Sequence, residues 1–137
     1  MRSQKAKSKR QTTTARVKKA ASACHYSWSK VERENVNPLL DRQLVVGTEV
    51  MLARILLKQG CIVPLHHHSN EQLSYVMDGE LRFEIGGESM MVRSGEVMAI
   101  PPDVPHLVEA LRDTVSLDIF YPPRTDWINK TDTYLRK

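Results

Sequence analysis

Glycines 79, 87 and 95 recur at eight-residue steps, and the runs set off by them, "LRFEI", "ESMMVR" and "EVMAI", are too short for helices. Within the first run, Leu81, Phe83 and Ile85 alternate with Arg82 and Glu84, the period of a strand with one face buried. Asp78-Gly79 and Gly86-Gly87 are dipeptides suited to tight hairpins, because both central residues of a type I′ turn need positive φ. The pattern predicts a meander of short antiparallel strands. "EVMLARILL" at 49–57 adds a strand, and so does "TVSLDIFY" at 114–121. The latter alternates Thr114, Ser116, Asp118 and Phe120 with Val115, Leu117, Ile119 and Tyr121. No comparable helical segment interrupts the series, and 137 residues suit one domain. The expected fold class is all-β, a barrel or sandwich.

The N-terminus is a different kind of text. Met1 to Lys30 holds nine Lys or Arg and no acid, whereas the rest holds eleven basic and sixteen acidic residues. A polar, self-repelling segment cannot bury enough surface to offset its ordering entropy, so residues 1–24 read as a disordered basic tail and 25–137 as the folded domain. Such a tail serves as a solvated extension, as a tether to nucleic acid or an anionic surface, or, in a eukaryote, as an organelle transit peptide. The chain shows neither a run of about eighteen apolar residues nor a secretory signal, so no membrane insertion is expected and the location reads as cytoplasmic. Cys24 and Cys61 are too few for a disulfide framework and form no CxxC pair, which fits free thiols in a reducing compartment.

"PLHHHSNEQ", Pro64 to Gln72, concentrates three of the five histidines. In extended backbone His66 and His68 share a face and His67 points away, forming a two-pronged clamp for one transition metal if further ligands converge. Glu71, Gln72 and His106, the last in "GEVMAIPPDVPH", are the candidates. A solvated loop rich in imidazole accounts for the bare HxH motif equally well.

The combined spacing is more specific. Gly60, His66-x-His68, Gln72 and Gly79, followed by Gly95, Pro101 and His106, resembles the two motifs of the cupin superfamily. The resemblance implies a jelly-roll barrel binding one divalent transition metal (Ni, Fe, Mn, Co or Zn) through His66, His68, Gln72 and His106. Asp103 stands where the second motif usually has glycine, which a tight turn tolerates. Gln72 stands for the usual glutamate; adjacent Glu71 would project to the opposite face of a strand. Three imidazoles and an amide leave the ion's charge uncompensated, which favours an anionic substrate.

"PLHHHSNEQLSYVMDGELRFEIGGE" and "SLDIFYPPRTDW" look more narrowly like the small cupins of pectin and alginate breakdown that convert unsaturated monouronates to linear keto acids. Asp118, Phe120 and Arg124 match that family's D-x-F-x-x-x-R pattern, and the resemblance places them at the substrate. An inward carboxylate is costly unless paired or functional, and Arg124 would pair with it or grip a substrate carboxylate. The resemblance further implies a homodimer; separately, Trp28, Trp127 and the terminal segments are candidates to cover a sheet edge. Cupins that are dioxygenases, zinc polyketide cyclases or non-catalytic sugar binders would use the same four ligands.

Overall fold

The computed structural model describes residues 22–136; the basic tail, with its proposed contacts and targeting role, falls almost wholly outside them. Ten strands follow in order: β1 (Glu34–Asn37), β2 (Leu40–Val46), β3 (Met51–Leu57), β4 (Ile62–His66), β5 (Glu71–Asp78), β6 (Glu80–Ile85), β7 (Glu88–Arg93), β8 (Val97–Ile100), β9 (His106–Ala110) and β10 (Thr114–Tyr121). They form two antiparallel sheets, β1-β2-β3-β10-β5-β8 and β4-β9-β6-β7. The expected all-β jelly-roll barrel is the observed architecture.

Alternation makes the core. Met51, Ala53, Ile55 and Leu57 of β3 face Leu81 and Phe83 of β6 and Val108 and Ala110 of β9 within one buried cluster. Seventeen apolar residues form this cluster among the described residues, and the Val, Leu, Ile, Phe and Met side chains in it, each contributing about 1.5–3 kcal/mol on burial, supply the driving force for closing the two sheets.

The meander expectation needs correction. Of the two glycine dipeptides, Gly86-Gly87 makes a two-residue hairpin, between β6 and β7, with φ of 61° and 81°, and Asp78-Gly79 does not. β5 pairs with β8 in one sheet while β6 pairs with β7 in the other, so the four strands are one long ribbon folded across the barrel at Gly79 and Gly95. Gly79 bends the chain between sheets, with φ of 102°, and a Cβ there would run into the Thr114 side chain and the Asp113 carbonyl. Positive φ and a close backbone approach, rather than a hairpin, demand this glycine.

β5 and β10 invert the usual polarity of a strand. Their inward residues are Gln72, Ser74, Thr114, Ser116 and Asp118, with Val76 and Phe120, whereas Leu73, Tyr75, Met77, Ile119 and Tyr121 lie exposed on the outer face. Two neighbouring central strands thus give up apolar burial to line the interior with hydrogen-bonding groups, which costs stability unless those groups are used.

After β10 the chain folds back over one end of the barrel as α1 (Thr125–Ile128) and a single 3-10 turn, Thr133–Leu135. Buried Arg42 holds this segment through a two-pronged bond to Asp132, 2.7 and 3.0 Å, and stacks 4.6 Å over Trp127. Trp127, expected to cover a sheet edge, is instead buried against Phe120 inside the barrel. Trp28 does lie against the sheet, its carbonyl accepting from Gln43 Nε2 of β2 at 2.8 Å. Cys24 and Cys61 form no disulfide with each other, Cys24 being exposed and Cys61 buried. Among the described residues no helix is long and apolar enough to cross a membrane.

Candidate metal centre

Antiparallel pairing of β4 with β9 sets His66 directly opposite His106, so the first histidine motif meets the second by strand register. A bond from the Asp103 amide to the His68 carbonyl, 2.8 Å, ties the two loops together; Asp103 adopts φ of 66°, tolerated as its short polar side chain allows. His66, His68 and His106 place one ring nitrogen each within 4.8 Å of one another.

Hydrogen bonds decide which nitrogens these are. Nδ1 of His66, His68 and His106 bonds a backbone carbonyl, of Pro64, Asn70 and Val104, at 2.7, 3.0 and 2.8 Å. A carbonyl only accepts, so each Nδ1 carries the proton and each neutral ring presents an Nε2 lone pair. The rings are neutral because burial, above all, holds His66 down to about 3 and His68 to about 4 and lowers His106 in the same way.

Two observations test whether a cation fits. His106 Nε2 is buried with no hydrogen-bond partner. His68 Nε2 stands 3.0 Å from Gln72 Oε1, so a lone pair faces a lone pair. Both are unfavourable for protein alone and favourable around a shared positive charge, and three imidazoles with one amide oxygen suit a divalent transition metal. Gln72 is buried and Glu71 exposed, as strand alternation requires.

His66, Gln72, His106, Asp118, Phe120 and Arg124 line one cavity. Asp118 accepts from Ser116 Oγ at 2.9 Å and lies opposite Ser74 in the β5–β10 register; burial outweighs the pull of both hydroxyls and pushes its carboxyl up to about 6. Arg124 departs from one expectation, since its ion pair is with Asp126, at 3.0 and 2.9 Å, and not with Asp118. Phe120 and Trp127 lie 5.1 and 4.6 Å from its guanidinium. Its Nη1 is buried and has no partner.

Three contributors escaped the sequence reading. Ser74 and Ser116 sit at strand spacing from Gln72 and Asp118, a polar alternation that marks them in retrospect. Tyr134 stacks on His66, 4.6 Å between rings, and its hydroxyl oxygen accepts from Arg124 Nη2 at 2.8 Å and Trp127 Nε1 at 3.1 Å. Nothing local in "DTYLRK" signals that contact.

A small antiparallel barrel closed around three histidines and a glutamine defines a class of metal-site jelly rolls. Residues 53–120 match the model of the Cupin_2 family, described as Cupin domain, and the chain carries a cupin domain there. The uncharacterized protein MJ1618 of Methanocaldococcus jannaschii is 29% identical over 92 residues, covering 64% of this chain and 73% of that protein. An RmlC-like cupin from Shewanella frigidimarina superposes with a TM-score of 0.71 at 28% identity, over 77% of this chain and 96% of that one. KdgF from a Halomonas species does so with a TM-score of 0.73 at 23% identity, over 77% and 99%.

Proposed function

We propose that this chain is a metal-dependent enzyme that opens the ring of an unsaturated monouronate to give a linear keto acid. The observation that carries the reading is that one cavity holds an unpartnered buried guanidinium N–H, on Arg124, beside an unpartnered buried imidazole nitrogen, on His106. A cavity with a free cationic donor and a free metal-type lone pair suits a small anionic ligand carrying further oxygens. A neutral aromatic polyketide would leave the Arg124 donor unmatched, which disfavours the cyclase alternative.

His66, His68, Gln72 and His106 would hold the metal, which when bound supplies Lewis-acid polarisation of a sugar oxygen. Arg124, braced by Asp126 and Tyr134, presents Nη1–H to the substrate carboxylate. Asp118, near 6, takes the proton of the anomeric hydroxyl as the C1–O5 bond breaks, and returns a proton to C4 as the C5 enol becomes a ketone. The net change is one proton moved from oxygen to carbon, so no co-reactant is required. Phe120 and Trp127 shape the cavity and exclude water.

Elemental analysis of the purified protein, followed by assays on unsaturated galacturonate, guluronate and mannuronate with and without oxygen, tests this reading. About one metal per chain and oxygen-independent turnover of one of the three is expected. Metal-free protein after metal supplementation, inactivity on all three, or a strict oxygen requirement would overturn it.

The homodimer is likewise a proposal. It is supported by the outer face of β5, β8 and β10, where Leu73, Tyr75, Met77, Val97, Ile119 and Tyr121 are exposed together, with Glu71 at the end of the patch opposite Tyr121. A two-fold contact places a patch on its own copy, so a face that is mainly apolar is self-compatible where a strongly charged one repels itself. Sedimentation equilibrium should give twice the chain mass, and Ile119→Lys should give a monomer; a monomeric parent protein refutes the contact.

A further inference from the structure

We propose that Ser74 is a positioning residue that turns the carbonyl end of the Gln72 amide toward the three histidines. This rests on the reading of the cavity as a metal centre. An amide has two ends of almost the same size, one accepting and one donating, and only its hydrogen bonds decide which end faces a given neighbour. His68 does not make that choice in favour of metal binding. Its Nε2 is a lone pair, so in the absence of metal it would be better satisfied by Gln72 Nε2–H than by the Oε1 that stands 3.0 Å away. With the amide turned that way, a ligand oxygen would be replaced by an NH2 group and the His68 lone pair would be consumed.

The opposite end of the amide is held by Ser74. Gln72 Nε2 donates to Ser74 Oγ at 2.9 Å, and both residues are buried. A hydroxyl could donate there just as well, which would permit the turned amide. Its proton is drawn elsewhere: Ser74 lies directly opposite Asp118 in the β5–β10 register, where the carboxylate attracts the hydroxyl proton. Asp118 also receives the Ser116 hydroxyl at 2.9 Å. With the Ser74 proton turned toward Asp118, the oxygen lone pairs face Gln72, and the amide points its NH2 at Ser74 and its oxygen at the histidines. A run of inward polar residues on two central strands thereby acquires a role: it transmits an orientation from Asp118 to a metal ligand. Groups one step removed from a metal commonly alter affinity 10- to 100-fold.

The test is competition for Zn(II) and Ni(II) against a chelator of known affinity, using four proteins: the parent chain, Ser74→Ala, Gln72→Glu, and the double variant. Ser74→Ala should weaken binding about 10- to 100-fold in the Gln72 background. In the Gln72→Glu background the same change should cost less than about threefold, because a carboxylate offers oxygen at either end and needs no orientation. Ser74→Thr, which keeps the hydroxyl on a cavity-lining position, should bind within about threefold of the parent, and guards against a loss due to misfolding. Equal losses in both backgrounds, or no loss in the first, would overturn the role of Ser74 while leaving the metal centre standing. A parent chain that binds neither ion would instead remove the centre itself, and the positioning role with it.

Discussion

Asp118→Asn should abolish turnover of the unsaturated monouronate, by about 10²- to 10⁴-fold as general acid–base groups do, while saturating metal still binds at one per chain. The same change should make the metal-free protein more stable above pH 6. Burial raises the folded-state pKa of Asp118 from 3.8 to about 6, so between these values the folded chain holds a proton that the unfolded chain has released. Stability from this group is therefore present below about pH 4 and lost as pH rises to 6. A neutral amide escapes that loss, which for a fully buried carboxyl shifted by about two units is on the order of 3 kcal/mol. Melting curves of parent and variant should coincide near pH 4 and separate progressively to pH 7. Retained activity would take Asp118 out of the mechanism; a stability gap that does not change with pH would mean that the carboxyl is not strained by burial. A residue that costs the fold stability while serving the reaction is expected at an active site.

The inward placement of Asp118 was legible because period-two alternation couples it to Phe120: a strand that buries Phe120 also buries position 118. Gln72 could be preferred over Glu71 on the same ground, and the positions are indeed buried and exposed respectively. Alternation says which residues share a face but not which sheet a strand joins. Gly79 and Gly95 require the same positive φ in a hairpin as in a bend between sheets, so the ribbon that crosses the barrel was indistinguishable from a meander. Arg124 was readable as a cavity residue only through resemblance, and its ion pair with Asp126, two residues on, is a local option that spacing leaves open. Tyr134 lies farther from legibility, since its stacking on His66 depends on Arg42 and Asp132 closing residues 122–136 over the barrel end, a contact between positions ninety residues apart. The sequence patterns report faces; the closing of the site is a tertiary event.

His106→Ala should remove the metal-dependent part of the protein's stability. In the parent, a metal present at 100 times its dissociation constant adds about 2.7 kcal/mol, a rise of about 10 °C or more in melting temperature for a domain of this size. Loss of a direct ligand should exceed the 100-fold cost typical of a group one step removed, leaving less than about 0.5 kcal/mol at the same metal concentration. The variant should therefore melt at nearly the same temperature with and without Zn(II). Without metal it should still fold, because the deleted ring carries an unpartnered nitrogen in the interior and its removal relieves a desolvation cost as well as opening a void. The acid limb distinguishes this from a general loss of packing. His66, His68 and His106 have folded-state pKa values below the ordinary 6.5, so on acidification the unfolded chain takes up protons first and the metal-free parent loses stability as pH falls from 6.5 toward 4. With one of the three rings gone, that acid-side slope should be shallower in His106→Ala than in the parent. Identical slopes together with an undiminished metal-induced rise would show that position 106 is not a ligand, and the two histidine motifs would then no longer share a centre.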